Sequence, residues 1–221
     1  MGSDKDALKT GPDGLPLIPE KDKKFNPVFF GLFYTIPVLV GLGIAYAIFA
    51  FGSTAVYTER ISAVVAADLH WAFAAVAVLS RVVSFVNFYP MVYKNKIMGS
   101  KAKNLRSNPY LYKAIGDGAA NNVIIFADGG DLGAYNRAQR SLHHMIENFA
   151  VILAGLFLVS QVFPFPVFVC TCVFGLGRIL HQVGYTTGYG GHALGFMLSF
   201  ITCQIIEGMC ILVALKGLGV L

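Results

Sequence analysis

The chain has 221 residues, of which 56% are hydrophobic and only 13% charged, and its formal net charge is +5. A soluble domain carries roughly 25% charged residues, so this composition excludes a soluble enzyme or binding module and assigns the chain to a bilayer. The cations border apolar stretches and do not form a basic stripe interleaved with exposed aromatics, so nucleic acid is not an expected partner.

Taken in order, residues 1–27 form a polar tail of mixed charge with no apolar run that would serve as a cleavable signal. The tail also fails the myristoylation pattern, because Asp6 stands where Ser or Thr is required. The first apolar stretch, 28–51, carries no charge and exceeds the roughly 20 residues that a span needs, so it is expected to be a retained anchor or outer packing helix. Pro37, Gly41 and Gly43 are ordinary features of such a helix and receive no function.

The second span, predicted over 63–93, contains Asp68, His70 and Arg81. Charges inside a span turn toward a partner, and Arg81 lies near mid-span. Glu207, near the middle of the last span, is the matching deep charge of opposite sign. A structural ion pair between them is the expected arrangement, with a proton or ion pathway as the sharper alternative.

The segment 94–140 concentrates Lys94, Lys96, Lys101, Lys103, Arg106, Lys113, Arg137 and Arg140, whereas 52–62 carries only Arg60. Cytoplasmic loops are enriched in Lys and Arg, so the 94–140 loop and the N-terminal tail are predicted to face the cytoplasm, with 52–62 opposite. The half of that loop reading GDGAANNVIIFADGGDLG has turn chemistry, and its ADGGDLG lacks the ligand spacing of a calcium loop. Further spans are predicted at 143–163, 165–186 and 193–218. Cys170, Cys172, Cys203 and Cys210 fall inside them without metal spacing and read as small apolar fillers, and no metal site is expected.

Two polar stripes carry the chemistry. In YNRAQRSLHHMIEN, Arg140, His143 or His144, and Glu147 stand at i, i+3/i+4 and i+7, on one helix face. In GRILHQVGYTTGYGGH, Arg178, His181, Gln182 and Tyr185 repeat that pattern at the corresponding end of their own span. Each stripe alone is also what a solvated helix end looks like. Together they offer guanidiniums, imidazoles, a carboxylate and a phenol at one depth, which suits a small zwitterion with more than one carboxylate.

YNRAQRSLHHMIEN resembles the signature of the MAPEG family, the membrane-associated proteins in eicosanoid and glutathione metabolism, and within it the microsomal glutathione transferases and leukotriene synthase. That signature reads Arg, any residue, His or Gln, any residue, Asn, two of any kind, Glu. Here Arg140 and Glu147 match its ends, while Leu142 and His144 depart in the middle. GRILHQVGYTTGYG is similar to the family's arginine-containing third helix, and KAKNLRSNPYLY to the basic segment that closes its first.

The resemblance covers about 65–218. It implies an all-α integral membrane protein with a four-helix transmembrane bundle in 63–221, to which 28–51 adds one extra N-terminal helix. It further implies a homotrimer or a larger membrane assembly binding glutathione as co-substrate at the cytoplasmic edge, with a lipophilic substrate entering from the lipid bilayer of an intracellular membrane such as the endoplasmic reticulum. Carried over, the glutathione contacts are Arg140, His144, Glu147, Arg178, His181 and Tyr185. Relatives place an Arg after the Gly-Tyr turn to stabilise the thiolate, but GYTTGYGGHAL has no Lys or Arg. His192 is the candidate replacement in the catalytic role, and imidazole is a weaker cation than guanidinium near neutral pH. The resemblance therefore leaves two functions: a glutathione transferase or peroxidase acting on lipophilic electrophiles or lipid hydroperoxides, and a non-catalytic binder of a lipid or protein.

Overall fold

The computed structural model describes residues 17–98, 112–115 and 123–221. Eight helices occur among them: α1 (Glu20–Lys23), α2 (Pro27–Phe51), α3 (Thr54–Ala66), α4 (His70–Phe88), α5 (Pro90–Met98), α6 (Gly130–Val159), α7 (Pro164–Thr187) and α8 (Ala193–Gly217). Five stretches among the described residues are long and apolar enough to cross a membrane: α2, the α4–α5 run His70–Ile97, α6, α7 and α8. The chain is a multi-pass integral membrane protein whose spans are all helical.

The second span differs from the single run expected over 63–93. The helix breaks at residues 67–69, where Asp68 takes φ +56°. Asp is among the few non-glycine residues that tolerate this left-handed conformation, because its short side chain bonds locally. Residues 54–66 therefore form a separate short helix, and 52–62 is not an open loop. At the other end, the expected 94–140 loop is helical up to Met98 and again from Gly130. Within it, Tyr112–Ile115 (β1) pairs antiparallel with the VIIF run Val123–Phe126 (β2), an ordered use of that apolar stretch which alternation alone did not announce. The basic KAKNLRSNP stretch lies outside the described residues.

The helix α7 is the centre of the bundle and packs against α4, α6 and α8. Lipid tails are as apolar as leucine, so association inside a membrane depends on close packing of small residues more than on hydrophobic burial. Glycine supplies it here. A Cβ on Gly195 of α8 would run into the His181 backbone of α7, and one on Gly177 of α7 would meet the Gly195 carbonyl. A Cβ on Gly184 would likewise run into the Gly191 carbonyl. These contacts bring α7 and α8 backbone to backbone. Around them, Leu79, Val82, Ile152, Leu156, Phe174 and Ile206 close the apolar core.

The first span, α2, stands outside this bundle with no buried residue. It leans on α4 through Phe30 and Phe33 packed edge-on against Phe88, with ring centroids 6.4 and 5.0 Å apart. Arg81 is the polar part of that contact. Its guanidinium lies 3.7 Å over the Tyr34 ring and its Nη2 donates to the Tyr34 carbonyl at 2.6 Å, while the Tyr34 hydroxyl donates to the Arg81 carbonyl at 2.7 Å. The expected Arg81–Glu207 pair within one chain does not form, because α4 and α8 sit on opposite sides of α7. Glu207 points outward from α8.

Candidate functional site

The chemistry-bearing residues gather at the end of the bundle nearest the 94–140 segment. The helix α6 begins at Gly130, ten or more residues before its apolar part, so that Arg137, Arg140, His144 and Glu147 stand on one continuous helical face. The α7–α8 turn, held tight by Gly184 against Gly191, brings Tyr185, Tyr189 and His192 to the same end. Side chains of α6 and α7 then meet in two layers.

The inner layer lies between α6, α7 and the start of α8. Arg178 is only 2% exposed; its Nη2 donates to the Ser141 carbonyl at 2.9 Å, and its Nη1 lies 3.0 Å from His144 Nδ1. Ser141 Oγ lies 2.7 Å from His181 Nδ1, and Gln182 donates to the Ala138 carbonyl at 3.0 Å. The His144 and His181 rings stack with centroids 5.4 Å apart, His181 stacks on Tyr185 at 5.5 Å, and His192 meets both His181 and Tyr185 edge-on at 5.4 and 5.0 Å. Three buried atoms, Arg178 Nε, Gln182 Oε1 and His192 Nδ1, have no hydrogen-bond partner among the described residues. Buried polar atoms are nearly always paired in a structural core, so a cluster of three at one level marks a polar site.

The outer layer is a cavity of about 410 Å³ open to the surface, within the size range of small-molecule sites. Arg140 and Glu147 form an ion pair at 2.7 Å on its wall, with side chains 48% and 55% exposed. His143, Tyr185 and Tyr189 complete much of the lining, together with Arg137. Arg137 is a site residue that stands outside the two stripes read from the sequence. It lies one turn before Arg140 on the same face of α6, and its i−3 spacing was the available signal. Its Nε and Nη2 donate to the Thr186 carbonyl at 3.2 and 3.0 Å, its Nη1 donates to the Asp128 carbonyl at 2.8 Å, and its charge sits 5.7 Å from the Tyr189 ring centre.

The seven residues expected at the site thus divide. Arg140, Glu147 and Tyr185 line the cavity; His144, Arg178, His181 and His192 stand behind it, and Tyr185 belongs to both layers. No group of three or more His, Cys, Asp or Glu able to hold a metal occurs among the described residues.

The family model for MAPEG matches residues 69–212, which takes in α4 to α7, most of α8 and both layers of the site. The chain belongs to the MAPEG family. The extra helix α2 lies outside the matched region, as do α1 and α3. No curated protein and no solved structure matches the chain. Family membership places this MAPEG protein among membrane proteins of glutathione-related or eicosanoid and lipid metabolism, and its five apolar spans agree with that setting.

Proposed function

We propose that this MAPEG protein is a glutathione-dependent transferase or peroxidase that takes the tripeptide from the aqueous side into the outer cavity and a lipophilic electrophile or lipid hydroperoxide from the bilayer. The observation that carries this reading is the charge set of the cavity wall. Arg137 and Arg140 offer cationic N–H groups of the kind that bind carboxylates, and Glu147 offers a carboxylate for an ammonium group. Glutathione carries two carboxylates, one ammonium group and a thiol, so each charged end has a counterpart. Tyr185, between the two layers, is placed to fix the peptide backbone. The inner layer of His144, Arg178 and His181 holds α6 and α7 in register, and Arg178 adds positive charge behind the pocket.

In this reading the thiol gives up its proton to solvent, and nearby positive charge stabilises the resulting thiolate nucleophile. Arg137 is the closest guanidinium to the turn after Gly184-Tyr185, through its bonds to Thr186. It supplies there the charge that the turn sequence lacks, with His192 set behind Tyr185 as the weaker alternative. The reading also takes the functional unit as a homotrimer in an intracellular membrane, and the N-terminus and the 94–140 segment as cytoplasmic.

A second reading, a binding protein without catalysis, has one observation in its favour: all three bonding nitrogens of Arg137 are already engaged with the backbone carbonyls of Asp128 and Thr186. The enzyme reading predicts that glutathione raises the melting temperature of the detergent-solubilised protein, because a ligand that binds only the native state stabilises it by mass action, whereas a binder of a lipid or protein predicts no such shift. The enzyme reading also predicts conjugation of chlorodinitrobenzene above the uncatalysed rate. No thermal shift at millimolar glutathione would remove the enzyme reading.

A further inference from the structure

We propose that α3, the short helix Thr54–Ala66 joining α2 to α4, lies in the plane of the membrane surface opposite the cavity and sinks one of its faces into the acyl boundary of that leaflet. At about 1.5 Å of rise per residue, the 25 residues of α2 reach about 37 Å and the 28 residues of His70–Ile97 about 42 Å, both more than the roughly 30 Å of a hydrocarbon core. The 13 residues of α3 reach only about 20 Å, so this helix is too short to cross. It stands where α2 ends and α4 begins, at the far end of the bundle from Arg140 and Tyr185.

Both ends of α3 are fixed corners. At the first, the Thr54 hydroxyl donates to the Phe49 carbonyl at 2.8 Å, and the Tyr57 ring lies 6.4 Å from that of Phe49 and against Gly52, where a Cβ would meet it at 3.0 Å. The chain thus turns off at the last turn of α2 and does not carry that axis on into water. At the second corner, Asp68 at φ +56° stops α3, with the Leu69 N–H donating to the Val64 carbonyl and the Asp68 N–H to the Val65 carbonyl, both at 3.0 Å. A left-handed residue so placed satisfies the last carbonyls of a helix and ends its axis, and α4 starts on a new one at His70. Held between two spans that end at one membrane surface, α3 runs along that surface.

No residue of α3 is buried, yet its only charges are Glu59 and Arg60. Val56, Ile61 and Val65 are 42%, 52% and 51% exposed. Helical spacing puts Tyr57, Ile61, Val64 and Val65 at i, i+4, i+7 and i+8 on one face, and Thr58, Glu59 and Ser62 on another. At headgroup level the apolar face is buried in acyl chains while the polar face stays wet, and tyrosine suits that boundary. Arg60 stands between Val56 and Val64 on the flank, where its long stem lets the guanidinium reach the phosphates. The occupant of this face is the bilayer. Glu59 and Arg60 cancel, so α3 offers no net charge to an oppositely charged partner, and insertion rests on apolar area without need of anionic lipid. This inference is independent of the ligand assigned to the cavity.

The test uses the full chain with Cys170, Cys172, Cys203 and Cys210 replaced by Ala and a single spin-labelled cysteine introduced as E59C, I61C, S62C or V65C. All four positions are exposed, so a label there displaces no packed neighbour. In phosphatidylcholine vesicles, electron paramagnetic resonance compares each label's collisions with lipid-soluble oxygen and with a water-soluble nickel chelate. I61C and V65C should favour oxygen, at about 5–10 Å below the phosphates, and E59C and S62C should favour nickel. Adding phosphatidylserine should leave the pattern unchanged. A companion variant, Y57W/W71F, keeps the native cysteines, and its fluorescence should be quenched most by lipids brominated near the headgroup. Nickel dominance at all four positions would put α3 in water, and protection of I61C and V65C from both reagents would put a protein on this face. Either result overturns the proposal, as would a pattern that needs phosphatidylserine or a companion variant that brominated lipid does not quench.

Discussion

Arg140→Ala is the most informative change at the cavity, because the structure separates its effect on binding from its effect on folding. Its guanidinium is 48% exposed and its ion partner Glu147 is 55% exposed, and surface pairs of this kind contribute little to stability. A hydrogen bond to a charged ligand group contributes about 1.5–3 kcal/mol, so the loss should weaken glutathione binding roughly ten- to a hundred-fold. The melting temperature without ligand should hardly move. Removing Arg140 also leaves the Glu147 carboxylate uncompensated next to an incoming carboxylate, which adds to the loss. The double variant R140A/E147A removes that repulsion and isolates the direct contact by a thermodynamic cycle. Arg178→Ala behaves oppositely, since it empties space in a layer where the side chain is 2% exposed and removes the charged donor shared by the Ser141 carbonyl and His144. Hydrogen bonds to a charged group contribute about 1.5–3 kcal/mol, so the protein should melt several degrees lower before ligand is added. Titration calorimetry and thermal unfolding in detergent read the two effects. Wild-type affinity in both R140A and R140A/E147A would refute the placement of glutathione in the outer cavity.

Other predictions follow from single contacts. Gly184→Ala should destabilise the protein by about 1–3 kcal/mol, because its Cβ meets the Gly191 backbone, which cannot move aside as a side chain can; thermal melting checks this. Asp68→Gly should leave stability unchanged or raise it, while Asp68→Val should lower it, since a β-branched residue does not tolerate φ +56°; the same melts compare them. Single cysteines at Ser53 and Ser107 should label from opposite faces of sealed vesicles with an impermeant thiol reagent, and labelling from one face would contradict the proposed topology. His192→Arg should raise the conjugation rate with chlorodinitrobenzene if the imidazole is the thiolate stabiliser, and an unchanged rate would transfer that role to Arg137.

The membrane class and the pairing of the two stripes were legible because both rest on local patterns. Apolar runs give the spans, and the i, i+3/i+4, i+7 spacing puts Arg140 and Glu147 on one face whatever the partner helix does. What escaped depends on contacts distant in sequence or on a single backbone angle. The break at Asp68 is such a case: residues 63–93 read as one apolar run, and nothing in hydropathy registers one residue with positive φ. The inner and outer layers could not be told apart either, because Arg140 and Arg178 occupy equivalent places in equivalent stripes. Only the packing of α7 at the centre of the bundle makes one of them a buried donor to His144 and the other a half-exposed wall residue. The expected Arg81–Glu207 pair fails for the same reason: sequence carries no record of which helices flank one another, and Arg81 is held by Tyr34 of α2 while α7 stands between α4 and α8.

The choice between enzyme and binder comes down to one guanidinium. The turn after Gly184-Tyr185 carries no cation of its own, yet Arg137 reaches that turn from α6 and bonds the Thr186 carbonyl twice. The three hydrogen bonds of the Arg137 guanidinium go to neutral carbonyls, so these acceptors set no negative charge against it. Its field at the cavity is therefore available to a thiolate even with its N–H groups engaged, and a thiolate responds to nearby positive charge whether or not it receives a direct hydrogen bond. Engagement with the backbone also fixes the group, so little rearrangement is needed when the thiol ionises, and preorganised charge is the more effective kind. The bonds that count against Arg137 as a ligand donor thus support it as a fixed electrostatic stabiliser. That distinction is measurable: Arg137→Lys keeps the charge but loses the forked bonds to Thr186, whereas Arg137→Gln removes the charge. Ultraviolet absorbance of bound thiolate that survives in R137K and is lost in R137Q would place the role on charge. Equal loss in both would place it on positioning of the turn, and equal retention would leave the thiolate to another group and take Arg137 out of the chemistry.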